Sequence, residues 1–347
     1  MDKIMANRLD RGFFRYQEEF EAKALEVLRS GRYVLGNEVK CFEEEFAEYV
    51  GAKNCVGLAS GLDALWIAFR CLGIGTGDEV IVQGNTYIAS VMGITINGAK
   101  PVFVEPDEFF NIDASKIEEK ITEKTKAVLV VHLYGQASNM TRIVDLCRKN
   151  DLKLVEDCAQ AHGAMFNGRQ VGTFGDAGAI VTDSDEIADQ VRIFRNYGSE
   201  KRYYNKIVGA NSRLDEIQAG LLRIRLKHLD ETAEEKRRIC GRYLSEINNE
   251  EIMLPGIRKG ATHIWHQFVI RCEKRDELMN YLEENQIGTI IHYPIPPHLS
   301  EAYRYLNIRE GALPVTEKYA KTVLSIPLYN GMTEEEQAYV IEKINAF

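Results

Sequence analysis

The chain has 347 residues, 45% of them hydrophobic and 27% charged, which is ordinary globular composition and enough for one large domain and a smaller one. Its net charge of -9 argues against nucleic acid as a partner, because neutralising phosphates requires a basic surface. We expect no membrane segment, since no apolar run reaches the roughly 18 residues that a spanning helix needs, and no signal peptide. The seven scattered cysteines contain no Cys-x-x-Cys pair, so we expect free thiols and a cytoplasmic location.

Helical and strand-like patterns alternate over the first half of the chain. The first helix carries Phe20, Ala24, Val27 and Leu28 on one face and ends at Gly31. The predicted strands are Asn54–Leu58, Glu79–Val82, Pro101–Val104, Ala127–Val131 and Leu152–Glu156. The helices predicted between them are Asp63–Cys71, Ala89–Asn97, Ala114–Ile121 and Met140–Lys149. Apolar strands that alternate with helices predict an α/β protein with a mainly parallel sheet, covered on both faces.

The pattern changes near residue 211. The stretch 211–247 predicts one long helix or two joined helices, followed by a strand over 264–271 and a helix over 276–284. A last helix spans 333–347, where Thr333 and Glu336 form a capping box. We therefore predict a large domain over residues 1–210 that includes the N-terminal helix, a connecting helix over 211–250 and a small α+β domain over 251–347.

Two predicted strand ends carry residues that could bind a ligand. Ser60-Gly61-Leu62 lies where a strand gives way to a helix, and backbone N–H groups at a helix N-terminus bind phosphate. Taken alone, the same residues fit an ordinary capped βα turn better. Tyr87 follows the strand over 79–82 and could stack on a cofactor ring at this edge of the sheet, or be a half-buried core aromatic.

A third strand end carries Asp157, with Gln160 three residues later. A carboxylate there can pair with a protonated ring nitrogen, and the amide can reach a ring hydroxyl. The alternative for Asp157 alone is a helix N-cap. His263 and His266 are a weak metal candidate, because residues three apart in a strand face opposite sides, so we predict no metal site.

Together these stretches resemble the DegT/DnrJ/EryC1/StrS family of pyridoxal phosphate (PLP)-dependent sugar aminotransferases. The motifs that carry the resemblance cover nearly the whole chain, in the order 31–36, 60–65, 85–87, 132–136, 156–164, 196–199, 211–219 and 291–296. Within the family, Gly61-Leu62-Asp63, Asn97-Gly98 before Pro101, and Val104-Glu105-Pro106-Asp107 look closest to the branch that acts on dTDP-linked 3-keto-6-deoxyhexoses.

The resemblance implies a type I PLP aminotransferase fold, PLP or pyridoxamine phosphate (PMP) as cofactor, and a homodimer whose active sites are shared between subunits. Carried over by motif, the cofactor-binding residues are Ser60, Gly61, Leu62, Tyr87, Asp157, Gln160 and, reaching the partner's cofactor, Asn211. Candidates for binding the sugar nucleotide are Arg213, His292 and Tyr293.

The chain departs from the family at one place. In relatives a segment resembling Phe-Ser-Phe-Tyr-Pro-x-Lys-Asn-Leu-Gly follows a Gly-Asp pair and supplies the Schiff-base lysine, a phosphate-binding serine and a sheet strand. Here the motif 156–164 leads directly to 172–182, and no lysine lies between Lys153 and Lys201. The missing stretch is about twenty residues, so we expect 177–182 to shift into the vacant strand position or to leave a gap. Lys201 and Lys206 are poor substitutes, because they lie in a predicted loop.

We therefore expect an aminotransferase of nucleotide-linked keto sugars, with glutamate as donor and a dTDP-3-keto-6-deoxyhexose as acceptor, impaired by the absent lysine. The alternative is a non-catalytic homologue that dimerises and binds nucleotide sugar or cofactor. A PMP-dependent dehydratase ranks last, because the position at which some relatives carry histidine is itself missing.

Overall fold

The computed structural model describes residues 3–174, 177–178, 181–201 and 203–347, with the backbone alone at 177–178. The strands are β1 (Asn54–Cys55), β2 (Glu79–Gln83), β3 (Lys100–Val104), β4 (Thr125–Val131), β5 (Lys153–Asp157), β6 (Met165–Phe166), β7 (Arg169–Gln170), β8 (Ala177–Gly178), β9 (Val181–Thr182), β10 (Ser199–Lys201), β11 (Tyr204–Asn205), β12 (Phe268–Arg271) and β13 (Val323–Ile326). The helices are α1 (Leu9–Arg15), α2 (Gln17–Ser30), α3 (Asn37–Val50), α4 (Gly61–Cys71), α5 (Ile88–Thr95), α6 (Met140–Lys149), α7 (Asp185–Phe194), α8 (Glu216–Lys227), α9 (Leu229–Glu246), α10 (Arg275–Glu284), α11 (Pro314–Thr322) and α12 (Glu334–Ala346).

The central sheet is parallel throughout, with the strand order β3-β2-β4-β5-β8. Successive side chains of its strands pack into the hydrophobic cores on opposite faces of the sheet. Val80 and Val82 pack on one face, whereas Ile81 packs on the other. Both faces are buried because side chains alternate along a strand and helices cover each side. The α/β class and the parallel sheet expected from the sequence are thereby confirmed.

One short segment touches two strands at once. Ala177–Gly178 pairs with β5 in parallel, and Val181–Thr182 pairs with β1 in antiparallel fashion. Ala177–Gly178 thus lies in the strand position beside β5, which is one of the two expected outcomes. Residues 179–180 of that prediction lie outside the described part of the chain.

The C-terminal part combines the antiparallel pair β12–β13 with helices α10, α11 and α12. Its core includes Phe268, Leu278 and Ile344, and it also receives Ile4 from the beginning of the chain, which bridges to Ile287. Through Ile4, the N-terminal residues therefore fasten the C-terminal part to the rest of the molecule.

Among the described residues, no helix is both long and apolar enough to cross a membrane.

The helix predicted over 114–121 is wrong. Only a 3-10 turn forms there, over Glu118–Lys120. The Asp113 side chain accepts the backbone N–H and the hydroxyl of Ser115, a local bond that competes with helix formation.

The strand predicted over 264–271 begins only at Phe268. Trp265 has a φ of 53° and its N–H donates to His263 Nδ1, so the backbone turns before the strand starts. The strand predicted over 54–58 is likewise shorter, since β1 ends at Cys55.

The region after residue 211 forms two joined helices, one of the two forms expected. Residues 211–215 are not part of them, because Asn211 bridges to Asn196 and Asp215 bridges to Val34. The first helix starts at Glu216 and the second follows His228. The predicted capping box of the last helix is present, with Thr333 and Glu336 bonded reciprocally.

Glu216 joins the start of α8 to the start of α3. Its carboxylate is 3% exposed and accepts the backbone N–H groups of Gly36, Glu38 and Val39 at 2.7, 2.9 and 3.1 Å. These are N–H groups that the first turn of a helix cannot satisfy internally. The bond therefore caps α3 and fixes the segment that carries residues 211–215.

We predict that Glu216→Ala lowers the free energy of unfolding by about 3 kcal/mol, because it leaves buried N–H groups unpaired. The matched control is Glu44→Ala on α3, whose ion pair with Lys40 is exposed and should contribute less than about 0.5 kcal/mol. Urea unfolding followed by circular dichroism measures both, and equal losses in the two variants would contradict the capping role.

Candidate active site

The N-terminus of α4 presents backbone N–H groups a few residues after the end of β1. Ser60 caps the helix by accepting the Asp63 N–H at 3.1 Å. Ser212 Oγ donates to the Asp63 carboxylate at 2.7 Å and accepts the Ala59 N–H at 3.3 Å. The capped-turn interpretation of Ser60 is therefore correct, and the remaining N–H groups of Gly61 and Leu62 stay available to an anion.

Asp157 ends β5 with a carboxylate that is 8% exposed. One oxygen accepts the Ser90 hydroxyl at 2.8 Å and the other accepts the Ala159 N–H at 3.1 Å. Ser90 in turn bonds to Thr86 at 2.9 Å. These donors hold the carboxylate in one orientation at the carboxyl end of the sheet.

Tyr87, Gln160 and Tyr293 form one connected group. The ring centroids of Tyr87 and Tyr293 are 5.1 Å apart, and Gln160 Nε2 donates to the Tyr293 hydroxyl at 3.1 Å. Gln160 Oε1 accepts the backbone N–H of Tyr134 at 2.8 Å. Tyr87 is 52% exposed, so about half of the residue is accessible beside Tyr293.

A cavity of about 520 Å³ separates the α4 N-terminus from Asp157. Its walls are largely apolar and include Phe46, Leu58 and Val181, with Ser60 and Gly61 at one end. No lysine is among the described residues that line it. A gap therefore remains beside the site, although Ala177–Gly178 pairs with β5.

His162 opens onto the same cavity, where its ring meets the edge of Phe46 at 5.7 Å. Loss of surrounding water lowers the pKa of the imidazole, and the Asp157 carboxylate partly opposes this effect. His162 is consequently neutral at pH 7 and able to accept a proton.

His292 is fixed by its neighbours. Its Nδ1 bonds to Ser325 Oγ at 2.8 Å, its Nε2 lies 2.8 Å from Gln267 Nε2, and its carbonyl accepts the Tyr134 hydroxyl. Burial lowers the pKa of His292 and raises the pKa of the Tyr293 phenol. Both side chains are thus neutral at pH 7.

Asn211 and Arg213 lie apart from the pair His292 and Tyr293. Arg213 donates to Asn196 Oδ1 at 3.1 Å and lies over the ring of Tyr197 at 5.3 Å. Asn211 is exposed and pairs with Asn196 through the backbone. The assignments of Asn211 to the partner subunit's cofactor and of Arg213 to the sugar nucleotide remain predictions.

Lys201 and Lys206 are on the exposed β10–β11 hairpin. Lys206 pairs with Glu200 at 2.6 Å, and Lys201 lies over the ring of Tyr204 at 5.6 Å. Neither residue lines the cavity beside Asp157, so neither is placed to replace the missing lysine.

His132, Glu156 and Cys158 have the spacing of a metal site, with ligand atoms within 4.8 Å of one another. His132 Nδ1, however, accepts the Ser138 N–H, so Nε2 carries the proton and donates to Glu156 at 3.0 Å. Glu156 also accepts the N–H groups of Gly172 and Phe174. The cluster is a hydrogen-bonded structural unit, because its imidazole has no lone pair left for a metal.

Comparison with known proteins decides which family this fold and site belong to. The model of the DegT/DnrJ/EryC1/StrS aminotransferase family matches residues 15–345. This chain belongs to that family. A transaminase of Aneurinibacillus thermoaerophilus, named for dTDP-3-amino-3,6-dideoxy-alpha-D-galactopyranose, is 47% identical over 351 positions that cover 96% of each protein.

Solved structures of family aminotransferases have the same fold. DesV of S. venezuelae, crystallised in complex with a ketimine intermediate, is similar with a TM-score of 0.97 and 40% identity over 100% of this chain and 98% of that one. NtdA of Bacillus subtilis, solved with bound PMP, has a TM-score of 0.85 and 29% identity over 95% of this chain and 81% of that one. The type I aminotransferase fold is thereby confirmed.

The alignment with the A. thermoaerophilus transaminase also bears on the missing stretch. It is 351 positions long, whereas 96% of the 347 residues is about 333, so that about 18 positions have no residue of this chain opposite them. This number agrees with the stretch of about twenty residues that the sequence motifs indicate.

The described residues fit the ring and the phosphate of the family's cofactor but not its aldehyde. Asp157 offers a fixed carboxylate for a ring nitrogen, and the α4 N-terminus offers N–H groups for a phosphate. No amine that could form an imine lines the cavity among the described residues. The described lining therefore fits non-covalent binding of the cofactor and does not fit its covalent attachment.

Some residues of the site were not predicted from sequence. Ser90 and Tyr134 orient Asp157 and Gln160, yet neither was singled out. Thr86 and Ser90 are four residues apart at the start of a helix, and this spacing is the one feature of the sequence that could have predicted a hydrogen bond between their hydroxyls. His162 lies within the motif 156–164, which by itself assigns it no role.

We predict that Asp157→Ala weakens the binding of PMP by about 10- to 150-fold, which corresponds to a charged hydrogen bond of about 1.5–3 kcal/mol. Asp145→Asn, an exposed carboxylate on α6, is the matched control and should leave the affinity unchanged. Fluorescence titration with PMP measures both variants. Unchanged affinity in Asp157→Ala would refute the ring-nitrogen assignment.

Proposed function

We propose that this chain is a nucleotide-sugar aminotransferase by descent, one that binds PLP or PMP without a covalent bond and has little transaminase turnover. The observation that carries the proposal is the cavity beside Asp157, which has both cofactor-binding ends and no lysine among its described lining residues. The names of the relatives support an acceptor that is a dTDP-linked 3-keto-6-deoxyhexose. Glutamate is the donor that the family resemblance implies.

Different residues of the chain would bind different parts of the cofactor. The Asp157 carboxylate would keep a proton on the ring nitrogen, while the α4 N–H groups would bind the phosphate. Tyr87 would cover one face of the ring, and Gln160 would donate to its hydroxyl. When bound, the cofactor supplies the electron sink that aminotransferase chemistry requires.

The lost lysine removes two functions at once. A lysine amine forms the covalent link to the cofactor, and it then carries the proton between reacting carbons. General acid–base help of this kind is typically worth about 10²–10⁴-fold in rate. Since Lys201 and Lys206 lie outside the cavity, the chain has no evident replacement among its described lining residues.

The same observation favours a second candidate, a homologue without catalytic activity that dimerises and binds nucleotide sugar or cofactor. His292 and Tyr293 support sugar-nucleotide binding, because both side chains are held in place beside the ring-binding residues. The two candidates differ only in residual turnover, which a single assay separates.

The exposed side chains of Tyr203, Tyr204 and Val208 support self-association of the chain. Tyr203, Tyr204 and Val208 are 83%, 69% and 91% exposed, an unusual concentration of apolar surface for a monomer. We therefore include a homodimer with shared sites in the proposal, in which Asn211 of each subunit would approach the α4 N-terminus of the other.

We predict a dimer of about twice 39.4 kDa in sedimentation velocity. Val208→Asp should shift the distribution towards monomer, since it places a charge in an apolar interface. Ile257→Asp, at a residue that is 49% exposed and distant in sequence, is the control and should sediment like the parent. A parent chain that sediments as a monomer would remove the shared-site proposal.

We further predict that borohydride reduction in the presence of PLP leaves no stoichiometric label on any lysine, and that glutamate-dependent amination of a dTDP-linked keto sugar is at least about 100-fold slower than in lysine-containing relatives. Peptide mass mapping and product analysis provide the readouts. A stoichiometric label on Lys201 or Lys206 together with turnover would show that a substitute exists.

A restoration experiment gives the matched control. The corresponding segment of DesV, inserted between Asp176 and Ala177, should restore both the label and the turnover. The same insertion with its lysine replaced by alanine should restore neither. If both insertions stay inactive, the impairment has a cause other than the missing lysine.

A further inference from the structure

The Ser212 hydroxyl contacts the chain on both sides of the turn that starts α4. It donates to Asp63 Oδ2 at 2.7 Å and accepts the Ala59 N–H at 3.3 Å. Ala59 comes directly before Ser60, and Asp63 lies in the first turn of α4. Ser212 is 1% exposed, so these bonds are shielded from water. The hydroxyl therefore fixes both ends of the segment 60–62, whose N–H groups form the proposed phosphate site.

Ser212 is itself held in place through its backbone. Its N–H donates to the Arg195 carbonyl at 2.9 Å. The Arg195 side chain is buried, pairs with Glu43 and donates to the Gly57 carbonyl at 2.6 Å. The Glu43 carboxylate also accepts the Gly57 N–H at 2.7 Å. These contacts fix the position of Ser212 relative to the residues that precede α4.

The Asp63 carboxylate has a second possible hydrogen-bond partner nearby. The order Ser60-Gly61-Leu62-Asp63 is that of a capping box, in which the carboxylate returns to the N–H of the capping residue. Only half of this box is formed, because Ser60 Oγ accepts the Asp63 N–H at 3.1 Å. The Asp63 oxygens accept Trp66 Nε1 at 2.8 Å and the Ser212 hydroxyl instead. The Ser60 N–H is thus left without the carboxylate partner that a complete box would give it.

The ordinary explanation of an aspartate in the first turn of a helix is that its charge stabilises the helix N-terminus. That explanation holds for Asp63 in any orientation of its side chain. It does not account for a buried hydroxyl, 149 residues away in sequence, that holds the carboxylate in the orientation in which the box stays open.

We propose that Ser212 is a positioning residue for the phosphate of PLP or PMP. Its hydroxyl keeps the Asp63 carboxylate from closing the capping box, and so reserves the Ser60 N–H for the phosphate. A closed box would use one of the donors that the phosphate needs, and would bring a negative charge towards the anion. The inference rests on the function proposed above, because it concerns the phosphate group of that cofactor.

Fluorescence titrations with PMP and with pyridoxamine, which lacks the phosphate, test this role. The ratio of the two dissociation constants isolates the phosphate contribution from any general damage to the pocket. Ser212→Ala should lower the affinity for PMP at least about tenfold, as expected for one charge-assisted hydrogen bond, and should change the affinity for pyridoxamine less than about twofold. Ser245→Ala, which removes an exposed hydroxyl bonded to the Arg242 carbonyl, is the control and should change neither affinity.

A second variant tests whether Ser212 acts through Asp63. Asp63→Ala alone should keep the preference for PMP over pyridoxamine, because the carboxylate that could close the box is absent. Added to Ser212→Ala, it should restore most of the lost PMP affinity. A preference that falls in Asp63→Ala as far as in Ser212→Ala, or that the double variant does not regain, would contradict the mechanism. Urea unfolding checks that each variant folds, and Asp63→Ala decides the question if Ser212→Ala does not.

The same titrations separate this inference from the function on which it rests. If the parent chain prefers PMP to pyridoxamine and Ser212→Ala keeps that preference, the role of Ser212 alone is overturned. If the parent binds both compounds equally, the phosphate site is overturned together with the role of Ser212, while ring binding by Asp157 stands. If the parent binds neither compound, the proposed function is overturned as well.

Discussion

The carboxylate of Glu156 is the interaction on which the arrangement of the site depends. It is fully buried near the end of β5 and accepts hydrogen bonds from donors that include His132 Nε2 and the backbone N–H groups of Gly172 and Phe174. A buried carboxylate is tolerated only when such donors compensate for the loss of water. The bonds hold Gly172 and Phe174 against the end of β5.

The same interaction fixes the residue that follows it. Asp157 continues β5 by one position, and its backbone carbonyl accepts the His132 N–H at 3.1 Å. Its side chain is then directed towards Ser90 and the cavity. The hydrogen-bonded pair of His132 and Glu156 thus positions the neighbouring Asp157 carboxylate, and this structural role accounts for the meeting of three potential metal ligands here.

Much of this arrangement could be predicted from sequence because it depends on local patterns. The strand that ends at Asp157 and the helix that begins after Ser60 follow from apolar runs and capping residues, and the motif order indicated the family. The helix predicted over 114–121 does not form, because the Asp113 side chain competes for a backbone N–H group. The spacing of apolar residues along the sequence contains no information about this bond. The bond between Ser90 and Asp157 spans 67 residues of sequence, and the cavity is a property of the packed chain. No pattern in a single segment encodes either feature.

The pairing of Thr182 with Asn54 has a consequence for how the chain tolerates its shorter form. This pairing closes a loop of nearly 130 residues, and closing a loop costs entropy that rises only with the logarithm of its length. Removing about 20 residues from so long a loop changes that cost by only about 0.1 kcal/mol. The stability penalty of the shortening therefore comes from the lost strand contacts and the open cavity, and a chain that refills this space can regain stability without changing its connectivity.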